Sequence, residues 1–539
     1  MIISCENRKI LLNLFHKILK FNYLNYDSKD FSVEYIIDDE SEFCLYQDFL
    51  SKVNEISEER KNKGVYYTPK DVTEFIISNA LINYIVQDND RVLTIDEFYE
   101  YILTCENDLI NDLLYKANII DPTSGSGEFI ISAFTMKIRI LELINNIDDM
   151  NILKILQTLS FNDIDTKATE IIKVRLFLYL VKQLKEIDSL KKAISILNKN
   201  EYNVDFINYE NKLNKKFDII IGNPPYVEDY KYNGTVNDKF GNVYANVLNN
   251  SMELLSSKGV IGFIIPLSYM STVRMNKIRT VISSKCKKQF MLSYADRPDC
   301  LFAGVHQKLT ILIGTQNNNR KIKYTGTYKH WYKEERKDLF NNTIVVENDN
   351  RNPSFIPKYG CEIEKNIYNK ILNKSKHGLN YLLNKGNEQI YLNMRATFWI
   401  KCFPEFKESK EYKAYPCNEK YRNYLLCILN STLFYMFWTI VSDCWHITSK
   451  ELSLFKIADK GVNLSNYDIL AQRLFDELEK TKVYIGTKQA EYAYKHKECK
   501  QIIDEIDELL SQEYNLNETE LEYIKKYNLK YRTGGGNIE

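Results

Sequence analysis

Short apolar runs recur between Gly64 and Gln316, separated by stretches with the spacing of amphipathic helices. The runs are ANIID (117–121), LSFNDID (159–165), YNVDF (202–206), FDIIIG (217–222), VIGFIIP (260–266) and LTILIG (309–314). Runs of this length alternating with helices predict βαβ units and a buried, largely parallel sheet, so the expected class is α/β. Most of the runs end in a polar residue, a glycine or a proline. Ligands of open α/β sheets bind just outside the carboxyl ends of the strands, which is where chemistry is expected here.

The remainder of the chain divides by pattern. Residues 1–60 read as a small, mostly helical lead-in of mixed charge. Asn-rich stretches, QNNNR (316–320) and NNTIVVENDNRNP (341–353), read as loops or a domain border. Residues 354–470 are aromatic-rich and irregular, and 471–526 are strongly helical before the YRTGGGNIE end. The apolar stretch Leu425 to Val441 is short for a membrane span and contains Asn430, Ser431 and Thr432, so it reads as a buried core helix. At 539 residues the chain exceeds what one compact domain usually holds, which predicts two or three.

Charge refines this picture. The 72 basic residues balance the 72 acidic ones, which argues against a tail-driven DNA binder but leaves a local basic surface open. Residues 271–340 hold 15 Lys/Arg against 5 Asp/Glu, a local excess of 10, and a solvated face is the alternative reading of that run. The 11 cysteines are scattered, odd in number and free of CxxC pairs, and the six histidines are dispersed. That pattern fits a reducing cytosol and suggests neither a disulfide framework nor a metal site. The N-terminus carries no cleavable signal pattern, and the expected location is cytoplasmic.

Four motifs carry candidate chemistry. In IIDPTSGSGEFIISAF (119–134) a strand runs into Asp121, then a turn with Gly125 and Gly127, then a helix, a notch in which the backbone can approach a ligand closely. In FNDIDTKATEII (161–172) Asp163 stands at a strand end, placed to accept from ribose hydroxyls, with a solvated helix cap as the alternative. In NVDFI (203–207) Asp205 is placed to accept from an adenine amino group and Phe206 to lie against the adenine face, or simply in the core. The fourth decides the reading: FDIIIGNPPYVE (217–228). Pro224 and Pro225 fix φ and remove two backbone donors, leaving carbonyl acceptors. Asn223 adds a side-chain acceptor, and Tyr226 a flat ring for stacking.

Acceptors converging beside an aromatic plate suit an exocyclic amino group on a planar substrate. Such a nitrogen is a poor nucleophile because its lone pair is delocalised into the ring. Hydrogen bonds from it to the Asn223 Oδ1 and the Pro224 carbonyl would localise that pair. No strong base is needed, since the proton can leave after transfer. A base inside a duplex is unreachable and has to be flipped out, and Tyr226 would stack on it.

Taken in order, GVYYTP (64–69), DPTSGSGEF (121–129), NDID (162–165), VDF (204–206) and NPPY (223–226) resemble the gamma-class N6-adenine DNA methyltransferases of restriction-modification systems. LFAGVHQKLTILI (301–313), LLCILNSTLFYMFW (425–438) and the tail at 503–532 resemble segments of large type II methyltransferases and methylase–nuclease fusions. The resemblance implies a Rossmann-like S-adenosylmethionine-dependent methyltransferase sheet, an α+β C-terminal target-recognition domain and a helical tail. Its implied borders are 1–60, 61–316, 317–470 and 471–539. It implies S-adenosylmethionine as cofactor and double-stranded DNA as substrate, with no membrane. Tyr66, Thr68, Pro69, Asp121, Gly125, Gly127, Asp163, Asp205 and Phe206 match its cofactor-binding positions, and Asn223, Pro224, Pro225 and Tyr226 its catalytic motif. Thr123, Ser124 and Glu128 depart from the family's usual Ala-Cys and Asn or Ala but leave the glycines intact.

Target recognition follows the catalytic part in this family, which puts His330, Trp331, Tyr332, Arg395 and Trp399 near DNA, each with ordinary core or surface as the alternative. Lys287, Lys288 and Arg297 are candidates for phosphate contacts. Three other functions stay open: a single-chain restriction and modification enzyme in place of one paired with a separate restriction endonuclease, a protein-glutamine methyltransferase, and a non-catalytic DNA-binding subunit.

Overall fold

The computed structural model describes residues 68–534, apart from 87, 209–212, 214, 233–238, 319, 342, 351, 459–461 and 488–490. Tyr66 and the predicted lead-in over 1–60 lie outside the described residues.

The first half alternates strands and helices as the pattern predicts. Helix α1 (Lys70–Ile85) precedes β1 (Ile119–Asp121), α2 (Glu128–Leu143), β2 (Leu159–Asn162), α3 (Thr166–Gln183), β3 (Glu201–Tyr202), β4 (Phe217–Gly222), α4 (Val243–Leu254) and β5 (Leu255–Pro266). β6 (Lys288–Tyr294), β7 (Leu309–Thr315), β8 (Ile322–Thr325) and β9 (Val346–Glu347) complete a nine-stranded sheet. Its order is β3-β2-β1-β4-β5-β7-β6-β8-β9. β1 through β5 pair in parallel, and β7 runs antiparallel between β5 and β6. From β1 the chain moves outward to β2 and β3, then returns to lay β4 and β5 on the other side. The sheet therefore opens between β1 and β4, the switch point at which such folds hold ligands.

The strands are apolar because both faces of the sheet are covered. Ile119, Ile120, Ile219, Ile220 and Ile221 are fully buried, as are Ile76 and Ala80 of α1, which packs on β5. The predicted strands fall at β1–β5 and β7, while β6 is missing from the sequence reading. All of β6 is buried, including Lys288, so this part of the basic run is a strand of the sheet and not a solvated face. The sheet also continues past Gln316, through the Asn-rich stretches, to β8 and β9.

Beyond the sheet, β10 (Leu383–Asn393) pairs antiparallel with β11 (Cys402–Phe403) and β12 (Tyr412–Cys417). Helices α5 (Glu419–Asn430) and α6 (Thr432–Val441) are bent by 64° at Ser431. The stretch Leu425–Val441 is buried throughout, and among the described residues no single helix is long and apolar enough to cross a membrane. The helical tail docks on this core. Asp507 of α8 (Lys500–Glu513), counting the short α7 (Ser449–Leu454) before it, accepts the backbone N–H groups of Thr432 (3.1 Å) and Leu433 (3.0 Å) at the start of α6. Arg532 places its guanidinium carbon 3.8 Å from the Trp399 ring centre and 4.6 Å from that of Tyr435.

Candidate active site

The carboxyl ends of β1, β2 and β4 meet at the switch point. Asp121 ends β1 and is buried, and its Oδ1 accepts the Thr123 N–H at 3.0 Å. Burial holds its carboxyl well above the usual carboxylate range. The Thr123 N–H opposes that rise, and the nearby charge of Asp163 adds to it. Gly222 ends β4 directly beside it. A Cβ on Gly222 would come within 2.7 Å of Asp121 Oδ1, so only glycine lets the two strand ends approach this closely.

The turn after β1 is tied to the end of β2. Ser124 N–H donates to the Asn162 carbonyl at 2.8 Å, and the Ser124 hydroxyl donates to the Asp121 carbonyl at 2.8 Å. The Gly125 N–H donates to Asp163 Oδ2 at 2.9 Å. Gly127 caps α2 with φ +86°, and a Cβ there would meet Ile172 of α3 at 2.6 Å. Arg175 of α3, itself buried, donates to the Ser126 carbonyl at 2.6 Å and to both oxygens of Glu128 at 2.7 and 3.2 Å. The unusual Glu128 thus clamps the first turn of α2. Asn162, which the sequence reading passed over, staples three strand ends. Its side chain donates to the carbonyls of Pro122 (2.8 Å) and Val204 (3.1 Å) and accepts the Val204 N–H at 3.0 Å.

Asp205 follows β3, where its Oδ1 accepts from Ile207 N–H (3.0 Å) and from the Tyr232 hydroxyl (2.9 Å). Phe206 is buried, and its carbonyl accepts from Asn250 at 2.7 Å. The ends of β1, β2 and the β3 segment thus present Asp121, Asp163 and Asp205 along one edge. Among the described residues the charged neighbour that weighs on Asp121 is a second carboxylate, Asp163. An acidic edge over a glycine turn suits a ligand that is cationic and carries hydroxyl groups.

Asn223, Pro224, Pro225 and Tyr226 leave β4 at the same edge. The Asn223 amide donates to the Thr68 hydroxyl at 3.0 Å, across 155 residues of sequence. Thr68 is buried, and Pro69 behind it caps α1. The Tyr226 hydroxyl donates to the Ile264 carbonyl of β5 at 2.9 Å, and its half-buried ring meets the edge of Tyr244 at 6.5 Å and 89°. Both ends of the motif are therefore held by neighbours: a fixed amide and a fixed ring.

With this geometry in view, comparison with known proteins is direct. Residues 157–299, which carry Asp163, Asp205 and Asn223–Tyr226, match the family model of the Eco57I restriction-modification methylases. The match covers about a quarter of the chain, the part that carries the β2–β6 half of the sheet. A putative type II restriction enzyme and methyltransferase of Methanocaldococcus jannaschii is 34% identical over 168 residues, 27% of this chain and 14% of that protein. The modification methylase CviBIII of Paramecium bursaria Chlorella virus NC1A is 38% identical over 88 residues, 15% of this chain and 23% of that protein. The chain thus spans less than a quarter of the length of either curated relative. The type IIL restriction-modification enzyme MmeI, solved in complex with DNA, shares the fold at a TM-score of 0.52 and 11% identity, over 88% of this chain and 80% of that one.

The residues expected near DNA are scattered in the structure. Lys287 and Arg297 are exposed. Lys288 is not available to a phosphate: it is 1% exposed, and its ammonium donates to the Asn89 carbonyl at 2.7 Å. Burial lowers its pKa to about 8. Trp331 is buried edge-on to Tyr294, and His330 is buried with its Nδ1 donating to the Arg297 carbonyl at 2.7 Å. Both belong to the core because they follow the strand pair β6–β8 under the tail. Tyr332 and Trp399 also face the tail, donating to the carbonyls of Lys530 (3.2 Å) and Arg532 (3.1 Å). Arg395 is exposed and paired with Glu411 at 3.2 Å.

Proposed function

We propose that the protein is a site-specific DNA methyltransferase that transfers a methyl group from S-adenosylmethionine to the N6 of a flipped-out adenine. The observation that carries this reading is the Asn-Pro-Pro-Tyr corner beside Asp121 at the β1/β4 opening, with its amide held by Thr68 and its ring by Ile264. S-adenosylmethionine fits the acidic edge, since it carries both positive charge and ribose hydroxyls. Asp121 and the Gly125–Gly127 turn would hold it, with Asp163 and Asp205 toward its ribose and adenine. When bound, it supplies an electrophilic methyl group.

The chain's own residues do the rest. Asn223 Oδ1 and the Pro224 carbonyl accept the two protons of the adenine amino group and draw its lone pair out of the ring. Tyr226 stacks on the extruded base, a contact worth about 1–3 kcal/mol against the cost of flipping. The amide is fixed before substrate arrives, so little reorganisation remains at the moment of transfer. The match to a modification methylase and to a putative type II restriction enzyme and methyltransferase supports a role in a restriction-modification system.

The test is methyl transfer from cofactor labelled in its methyl group, with duplex DNA and bulk protein offered as rival acceptors. Label in DNA that disappears in Asn223→Ala, with cofactor binding kept, supports the reading. Label in protein alone overturns it in favour of a protein-glutamine methyltransferase.

A further inference from the structure

A cleft of about 380 Å³ opens in the C-terminal half, lined by Lys376, His377, Tyr381, Lys385 and Lys456. Its floor is two backbones held together. The Leu379 N–H donates to the Phe455 carbonyl at 3.0 Å, and the Ile457 N–H to the His377 carbonyl at 2.9 Å. They lie so close at Gly378 that a Cβ there would fall 2.2 Å from the Ser453 carbonyl oxygen. On this floor the His377 ring stacks on Tyr381 at 4.1 Å and 27°, and the Lys385 ammonium sits 3.9 Å from the centre of the Tyr381 ring. The Lys456 ammonium donates to the carbonyls of Ser453 (3.0 Å) and Lys376 (3.5 Å), which leaves a third proton for a ligand.

Among the described residues no carboxylate lines the cleft. Three ammonium groups and an imidazole around one small volume make a positive potential that calls for an anion with several acceptor oxygens. Its place in the fold narrows the choice. Helix α7 forms one wall through Ser453, and at its other end Lys450 donates to the Ser271 carbonyl at 2.7 Å. Ser271 closes the short helix that leaves the carboxyl end of β5, and Ser268 of that helix bonds the Tyr244 hydroxyl beside Tyr226. Contacts through α7, Ser271, Ser268 and Tyr244 thus link a wall of the cleft to the Asn-Pro-Pro-Tyr corner.

We propose that this cleft holds a backbone phosphate of the duplex whose base is engaged at that corner. The inference rests on the DNA-methylation reading. Phosphate contacts position a duplex without reading its sequence, and each one releases counterions. Lys376 and Lys385 are exposed, so their replacement leaves the core untouched.

The test compares the full-length protein with Lys376→Gln/Lys385→Gln, measuring duplex affinity across a salt series. The slope of log affinity against log salt is expected to flatten by about 0.9 per lost contact, about 1.8 for both. Affinity should fall equally for methylatable and unrelated sequences. Lys116→Gln, just before β1 at the opposite edge of the sheet, should leave the slope as it is. A double variant with the wild-type slope overturns the proposal, and so does a loss confined to one sequence. If wild type methylates DNA while the double variant keeps its slope, only this inference falls. A wild-type protein that binds no duplex overturns it together with the methylation reading.

Discussion

The Asn223 amide donates to the Thr68 hydroxyl across 3.0 Å, joining the segment before α1 to the corner after β4. With Nδ2 committed to Thr68, the acceptor end of the amide is defined before any substrate arrives. We propose that Thr68 acts through Asn223, a role different from the cofactor contact that the family resemblance implies. Thr68→Val should lower the single-turnover methylation rate on the order of 100-fold, the penalty for a reacting group misplaced by about 1 Å. Cofactor affinity should hold, and Thr68→Ser should restore the rate. Weaker cofactor binding with an unchanged rate would return Thr68 to the cofactor.

Gly222 and Gly125 should respond differently to the same change. Gly222→Ala drives a methyl group against Asp121 Oδ1, at 2.7 Å in a buried place, and should cost about 1–3 kcal/mol of stability together with cofactor binding. At Gly125 a Cβ meets no protein atom within 4 Å, so without cofactor Gly125→Ala pays only for its φ of +53°, about 1–2 kcal/mol. Thermal melts with and without cofactor measure both. A Gly222→Ala variant as stable as wild type without cofactor would contradict the close approach of β1 and β4.

The parallel core of the sheet was legible because FDIIIG and its neighbours are uniformly apolar and punctuated by helices. β6 was not. Lys287 and Lys288 at its start look like a phosphate-binding pair, yet the long aliphatic stem of Lys288 lies within the sheet and its ammonium reaches the Asn89 carbonyl. The Asn-Pro-Pro-Tyr corner was legible from its chemistry alone. Its supports, Thr68 and the Ile264 carbonyl, were not, because they come from 155 residues before Asn223 and 38 after Tyr226. His330, Trp331, Tyr332 and Trp399 show a related limit. Aromatic and basic residues late in the chain suggest a nucleic-acid surface, but Trp331 packs on Tyr294 and the tail covers the other three, and a docked helix leaves no signature in the segment it covers.

Tail docking has its own test. Arg532 is buried between Trp399 and Tyr435, donates to the Phe398 carbonyl at 3.0 Å, and has its pKa lowered to about 10 by burial. Arg532→Ala should cost about 3 kcal/mol in chemical denaturation, and Arg532→Lys should not rescue it, because an ammonium lacks the planar stack. A change under about 0.5 kcal/mol, the range of an ordinary surface substitution, would contradict the docking.

Acid should expose the buried histidines. Burial lowers the pKa of His330 to about 4 and that of His496 to about 3, both below the value in an unfolded chain. Each is neutral in the folded state and takes up a proton on unfolding. The stability this represents is complete above about pH 6.5 and is lost as the pH falls through the folded values, by about 1.4 kcal/mol per pH unit for each group. His330→Gln should shallow the fall in stability between pH 6 and 4. Denaturation midpoints across that range measure it, and a variant as acid-sensitive as wild type would place the cause elsewhere.

The most direct measurement is nucleoside mass spectrometry of DNA incubated with the purified protein and S-adenosylmethionine. The proposed grip of Asn223, Pro224 and Tyr226 on an exocyclic purine amino group predicts N6-methyladenine, absent when Asn223 is Ala. A methyl group found on a cytosine ring carbon, or N6-methyladenine made undiminished by Asn223→Ala, would contradict it.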